Sequence, residues 1–240
     1  MFVKNIDYII LLNLLFIVVL ITSEYIFPKI ENEKNKEYLR KLVHFETAIL
    51  FIVATFLLNQ EFFIILVTES LISVIASKYL HIFHALNDSR RKKANWGGIF
   101  FSIALIIISL LFYNNTFLIR EALFITGISD SLAAFAGMNI PVKEYNILND
   151  NKSYMGSFIF LVTSSFIFLG SNIGLLVSII LSLILTITEA ISYNGSDNFT
   201  LLLITPFILI AGELNDLIIL VAFVVIFILL YLFPLKKYNI

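Results

Sequence analysis

Five ionisable residues stand inside or at the edges of long apolar runs: His44, Glu46, Glu69, Asp130 and Glu189. Placing a charge near mid-bilayer costs about 2.5 kcal/mol or more, so such groups are functional candidates by default. The segment Arg40-Lys41-Leu42-Val43-His44 enters an apolar run with two cations and, one helical turn on, an imidazole. A basic flank that only sets topology would read the same way up to Lys41. His44 adds a polar ring that a lipid-facing helix tolerates poorly.

A second pattern is Gly127-Ile128-Ser129-Asp130-Ser131-Leu132-Ala133-Ala134-Phe135-Ala136-Gly137. Asp130, Ala134 and Gly137 fall at i, i+4 and i+7, one face of a helix. Small residues there permit the close approach of a second helix or of a ligand's phosphates, and the carboxylate favours the second use. A third pattern, Lys152-Ser153-Tyr154-Met155-Gly156-Ser157, precedes another apolar run. An ammonium, hydroxyls and a glycine at a helix N-terminus suit an anion, although the segment lacks the spacing of a P-loop. The fourth, Glu189 to Asn198, brackets Asn194-Gly195 with Glu189 and Asp197. Together with Asn198 these supply the hard oxygen ligands that Mg²⁺ prefers. His81 and His84, at i and i+3, lack a convincing third ligand and read as interfacial histidines.

These patterns must be held by apolar elements. Of 240 residues, 60% are apolar and the mean hydropathy is +0.97. The chain divides into about nine runs of roughly 15 to 21 residues, near bilayer-spanning length: 7–27, 42–58, 62–80, 97–113, 117–137, 157–170, 174–190, 199–213 and 216–234. Lipid cannot satisfy free backbone groups, so uniformly apolar runs with short polar joints imply a helical bundle. The expected fold is therefore all-α, one polytopic membrane domain over 1–240. No polar stretch is long enough to bury a soluble core.

Charge orients the bundle. With loops numbered alternately, one side carries Lys29, Lys34, Lys36, Arg40, Lys41, Lys78, Arg90, Arg91, Lys92, Lys93, Lys143, Lys152, Lys236 and Lys237, and the other only Lys4 and Arg120. Fourteen of the 16 basic residues on one side place that side in the cytosol, with the N-terminus outside and the C-terminus inside. All four patterns fall at that end. The net charge of −1 is uninformative beside this asymmetry, and no nucleic-acid partner is expected. The absence of Cys excludes disulfides, thiol catalysis and thiolate metal sites.

In this order, the four segments resemble the membrane kinases of the dolichol kinase and phytol kinase family, over about residues 38–206. The matching pieces are Arg40, Lys41 and His44; Asp130, Ala133, Ala134 and Gly137; Lys152, Ser153, Gly156 and Ser157; and Glu189 followed by Asp197 and Asn198. Residues 138–151 depart from the pattern, lacking a second glycine and carrying Lys143 as their one basic residue. The resemblance implies transfer of a phosphoryl group from a nucleoside triphosphate, typically CTP, to a long isoprenoid alcohol, with Mg²⁺. It implies catalytic roles for Asp130, Arg40, Lys41 and His44, nucleotide contacts from Gly137, Lys152, Ser153, Gly156 and Ser157, and metal ligation by Glu189, Asp197 and Asn198. Asp130 is either a further metal ligand or the group orienting the attacking hydroxyl. The expected setting is a bacterial or archaeal cell membrane, or an ER-type membrane. Two other readings stand beside this one. A lipid cytidylyltransferase also uses CTP, but its Gly-rich Asp-Arg-x-Asp stretch is absent here. A transporter would carry paired broken helices in two related halves, and none is evident.

Overall fold

The apolar runs become helices here, with Pro206 accommodated inside the last described one, and several of the breaks fall where polar side chains take over backbone bonds. The computed structural model describes residues 2–80, 82–84, 96–140, 142–147 and 150–213. Its order is α1 (Phe2–Ile26), α2 (Glu33–Leu57), α3 (Gln60–Leu80), α4 (Gly97–Phe112), α5 (Thr116–Leu123), α6 (Asp130–Asn139), β1 (Glu144–Ile147), β2 (Asp150–Ser153), α7 (Tyr154–Gly170), α8 (Leu175–Ile191) and α9 (Ser196–Glu213). The helix-dominated fold matches the sequence expectation. The run expected at 216–234, His81 and the basic cluster at 90–93 lie outside the described residues.

Caps and turns fix where each helix begins. Asn32 Oδ1 accepts from Lys34 N at 2.8 Å to start α2, and Asn59 Oδ1 accepts from Phe62 N at 3.1 Å to start α3. Such caps satisfy donors that the first turn leaves free. Between α8 and α9, Asn194 and Gly195 have φ of 53° and 82°, and Ser196 N donates to Tyr193 O at 3.0 Å. Two central residues with positive φ form a tight reversal that Asn-Gly adopts at low cost.

Residues 97–139 form one nearly continuous helical run of 43 residues. At 1.5 Å per residue it would extend about 65 Å, twice a hydrocarbon core of about 30 Å. It is broken near Asn115, whose φ of −127° and ψ of 74° leave the helical region, where the sequence separates the runs 97–113 and 117–137. One feature differs from the sequence reading: the polar joint after α6 folds as an antiparallel hairpin pairing Glu144 with Ser153 and Tyr145 with Lys152.

Among the described residues, Val3–Lys29, Gln60–Leu80 and Gly97–Asn139 are long and apolar enough to cross a membrane, and α7, α8 and α9 are shorter apolar helices. Large side chains such as Leu14, Phe56, Leu111, Phe166 and Leu176 stand more than half exposed, a surface that water does not favour and lipid does. Two buried clusters hold the bundle. Phe51, Phe63, Phe101, Leu105 and Ile119 join α2, α3, α4 and α5. Phe160, Phe168, Leu181, Leu185, Leu201 and Leu209 join α7, α8 and α9. The 97–139 run contributes to both. Glu69 is absorbed structurally: its Oε2 accepts from Asn13 Nδ2 at 2.7 Å, tying α3 to α1.

Candidate functional site

Asp130 owes its position to a local widening of its helix. Residues Phe124–Ser129 wind as a π-turn, and Asp130 N donates five residues back, to Ile125 O. In an α-helix that donor would go to Thr126 O. Thr126 O instead meets His44 Nε2 at 3.2 Å, so in that contact the ring nitrogen carries the proton and donates. Gly127, inside the widened turn, lets α2 come close: a Cβ there would overlap the Ala48 side chain. Single π-turns of this kind recur at functional sites. This one presents Asp130, buried at 3% exposure, to Lys41 of α2, whose Nζ forms an ion pair and hydrogen bond with Asp130 Oδ2. His44 also packs edge-on against Phe101.

The other half of the site comes from α7, α8 and α9. Ser153 caps α7, accepting from Gly156 N at 2.9 Å. Gly156 and Gly137 let α7 and α6 meet closely: a Cβ on Gly156 would lie 3.0 Å from Ala133 O, and one on Gly137 would lie 2.5 Å from Ser153 Oγ. The hairpin register then sets Lys152 one residue before the cap. Lys152 Nζ pairs with Glu189 Oε1, donates to Glu189 O at 3.1 Å and stands 3.9 Å from Asp197 Oδ2. The Asn194-Gly195 reversal returns the chain so that Asp197, in the first turn of α9, faces Glu189 near the end of α8.

The two halves converge on three carboxylates. One oxygen from each of Asp130, Glu189 and Asp197 lies within 4.8 Å of the others. Lys41 and Lys152 are the two ammonium groups paired with them, one fewer than the carboxylates. Arg40 is bound through both Nε and Nη2 to Glu37. Its pKa is raised: burial opposes the charge, while Glu37, then Asp130 and Asp197, favour it. Burial likewise works against the Lys152 ammonium, but Glu189 and Asp197 outweigh it and raise its pKa above the ordinary lysine value. A cluster of oxygen donors, largely buried and short of one positive charge, has the composition and spacing for a divalent cation such as Mg²⁺.

The four segments singled out from the sequence can be located, whereas His81 lies outside the described residues. Lys41, Asp130, Lys152, Glu189 and Asp197 form the charged centre. Asn198 joins Arg40, Lys41 and His44 in lining a cleft beside it. Ser157 Oγ is 2.6 Å from the Tyr145 hydroxyl, whose pKa is raised by burial and by Glu189. Gly137, Ser153 and Gly156 hold α6, the hairpin and α7 together, and the Gly156 N–H is taken up by Ser153. His84 does not reach this centre: its ring Nδ1 meets Glu24 at 2.8 Å, near the ends of α1 and α3.

Sequence reasoning did not find Glu37, Thr126 or Tyr145. Glu37 sits three residues before Arg40, a helical spacing that signals the pair. The Thr126 carbonyl becomes a partner only through the π-turn, and Tyr145 only through the hairpin. No protein-family model, curated protein or solved structure matches the chain.

Proposed function

We propose that the protein is a polytopic membrane kinase that transfers a phosphoryl group from a nucleoside triphosphate, CTP foremost, to a long-chain isoprenoid alcohol at the cytosolic membrane surface. The observation that carries this reading is the meeting of Asp130, Glu189 and Asp197 with Lys41 and Lys152. Phosphoryl transfer demands positioning and charge neutralisation more than covalent chemistry by the protein. A centre that combines clustered carboxylates with two ammonium groups suits both demands.

Asp130, Glu189 and Asp197 would hold Mg²⁺, with Asn198 alongside. The ion would supply neutralisation of charge on the phosphate oxygens. Lys41 and Lys152 pair with the carboxylates and are the ammonium groups available to phosphate oxygens. Asp130 lies between the two halves, hydrogen-bonded to Lys41 and with an oxygen within 4.8 Å of oxygens of the other two carboxylates. That position suits orientation of the attacking hydroxyl as well as ligation. His44, bound to Thr126 O, fixes α2 against the π-turn and so holds Lys41 at Asp130. Arg40, next to the cleft, adds positive potential where the transferred group would pass. Nine membrane spans and a cytosolic site complete the reading: the nucleotide comes from the aqueous side and the acceptor from lipid.

The test uses full-length protein purified into lipid, labelled CTP or ATP, and a panel of phytol, geranylgeraniol and longer polyprenols. Mg²⁺-dependent transfer of label to an alcohol is expected, lost in Asp130→Asn. Failure to label any alcohol from either nucleotide, by protein that is folded and monodisperse, overturns the proposal.

A further inference from the structure

A cleft of about 60 Å³ lies beside the charged centre, between α1, α2, α3 and α4, with Asn198 of α9 at its edge. Its two ends differ in chemistry. At one end stand Arg40, Lys41 and Asn198; elsewhere Phe16 and Phe101 line it together with the hydroxyl residues Thr47, Ser70 and Ser102. Lys41 belongs to both regions, since its Nζ reaches Asp130. Lys41 thus borders both the cleft and the centre where a phosphoryl group would be received.

Depth and width narrow the occupant. Ser70 precedes Leu80, the last residue of α3, by ten positions, about 15 Å of helix and half of a hydrocarbon core of about 30 Å. A volume of this size holds on the order of four water-sized groups. Gly98 narrows one wall against α3, for a Cβ there would lie 3.0 Å from Val74 Cγ1. A single chain of methylene-sized groups fits such a space; two chains side by side do not. The cationic end, and aromatic walls interrupted only by small hydroxyl side chains, match a primary alcohol that enters hydroxyl-up from the bilayer.

Building on the kinase reading, we propose that this cleft receives the first carbons of the acceptor and confines the enzyme to single-chain alcohols, excluding diacylglycerol. The hydroxyl then lies at Lys41 and Asp130. The chain passes His44 and leaves the cleft near Phe16 and Ser70 toward the lipid. Phe16 and Ser70 therefore decide which acceptors can extend to mid-bilayer depth.

The experiment is photo-crosslinking of wild-type, full-length protein in lipid nanodiscs with a geranylgeraniol analogue carrying a diazirine close to its hydroxyl. Adducts are mapped by mass spectrometry, and phosphorylation of the same analogue is measured in parallel. Adducts are expected on α1 to α4 at residues lining the cleft, competed by unlabelled geranylgeraniol and not by diacylglycerol. Cleft adducts without any phosphorylation sustain the binding site and overturn the kinase reading. Phosphorylation with adducts elsewhere, or competition by diacylglycerol equal to that of geranylgeraniol, overturns the cleft proposal and leaves the kinase reading intact. Saturation without specific adducts also overturns it. In Ser70→Phe, the KM for geranylgeraniol should rise about tenfold while the KM for nucleotide holds, because the added ring fills only the end away from Arg40 and Asn198.

Discussion

At the scale of single residues, Lys152 and Asp197 separate binding from turnover. Asp197→Asn preserves size and hydrogen bonding but removes one of three clustered charges. Its turnover should fall about a hundredfold, the usual effect of losing a preorganised charge worth ~3 kcal/mol, with partial recovery at high Mg²⁺. Lys152→Ala acts differently, because the ammonium already pairs with Glu189 and lies 3.9 Å from Asp197. Removing it should chiefly raise the KM for nucleotide, and it strands two carboxylates. Breaking a largely buried pair this way costs about 3 kcal/mol, so a lower melting temperature in detergent should accompany the kinetic defect. Lys152→Arg should regain much of the stability and less of the affinity. The pH dependence follows from the sign of the shift. A lysine whose folded pKa is raised contributes stability in full below its unfolded value, near 10.5, and loses it only as pH rises through the higher folded value. Activity between about pH 6 and 9 should therefore carry no step from Lys152. A titration in that window that vanishes in Lys152→Arg would contradict this. At this scale much was legible: Asp130, Lys152, Glu189 and Asp197 stand out in sequence as charges beside apolar runs. What sequence could not give was the pairing of Lys41 with Asp130, 89 positions apart.

At the scale of elements, the site depends on close approaches that glycine permits. Gly127 packs against Ala48 with no room for a Cβ, whereas Gly170, at the end of α7, has open space around it. Gly127→Ala should push α2 from the π-turn at a cost of about 1–3 kcal/mol, as overpacking does. It should also lengthen the contact between His44 and Thr126 O and lower turnover through the displaced Lys41. Gly170→Ala, with nothing to strike and ordinary backbone angles, should be neutral or stabilise by about 0.5 kcal/mol. Thermal unfolding and turnover of the two variants side by side check this; equal behaviour would remove the π-turn from the account of the site. The small-residue helix was visible in the periodicity of Asp130, Ala134 and Gly137. The π-turn was not, because one extra residue in a turn leaves the apolar pattern almost unchanged and is fixed by packing against α2. The hairpin escaped for a different reason: residues 144–153 are mostly polar and show no alternation of apolar and polar positions to mark a strand.

At the scale of the whole molecule, the arrangement rests on a charge asymmetry and on where the helices end. The chain ends that carry Arg40, Lys152, Glu189 and Asp197 are those of α2, β2, α8 and α9. The joints between α2 and α3 and between α4 and α5 fall at the opposite end, where Asn59 N donates to Asn5 Oδ1 at 3.2 Å and the Tyr113 hydroxyl donates to Leu58 O at 2.5 Å. Helix boundaries were legible from hydropathy to within a turn or two for most of the described helices. The extension of α2 back to Glu33 was not, since its first turns are amphipathic and charged. In the proposed topology the basic residues put the site end in the cytosol, and the absence of Cys opens that topology to a clean experiment. Asn35 and Asn114 are both exposed, at opposite ends of the bundle. Single variants Asn35→Cys and Asn114→Cys, treated in intact cells with a maleimide that cannot cross the membrane, should label only at residue 114. Permeabilised cells should label at both. A reporter fused after Ile240 should be active only in a form that functions in the cytosol. Labelling of Asn35→Cys in intact cells would place the carboxylate centre on the outer face. Cytosolic nucleotide would then have no access to it, and the kinase reading would fail together with the topology.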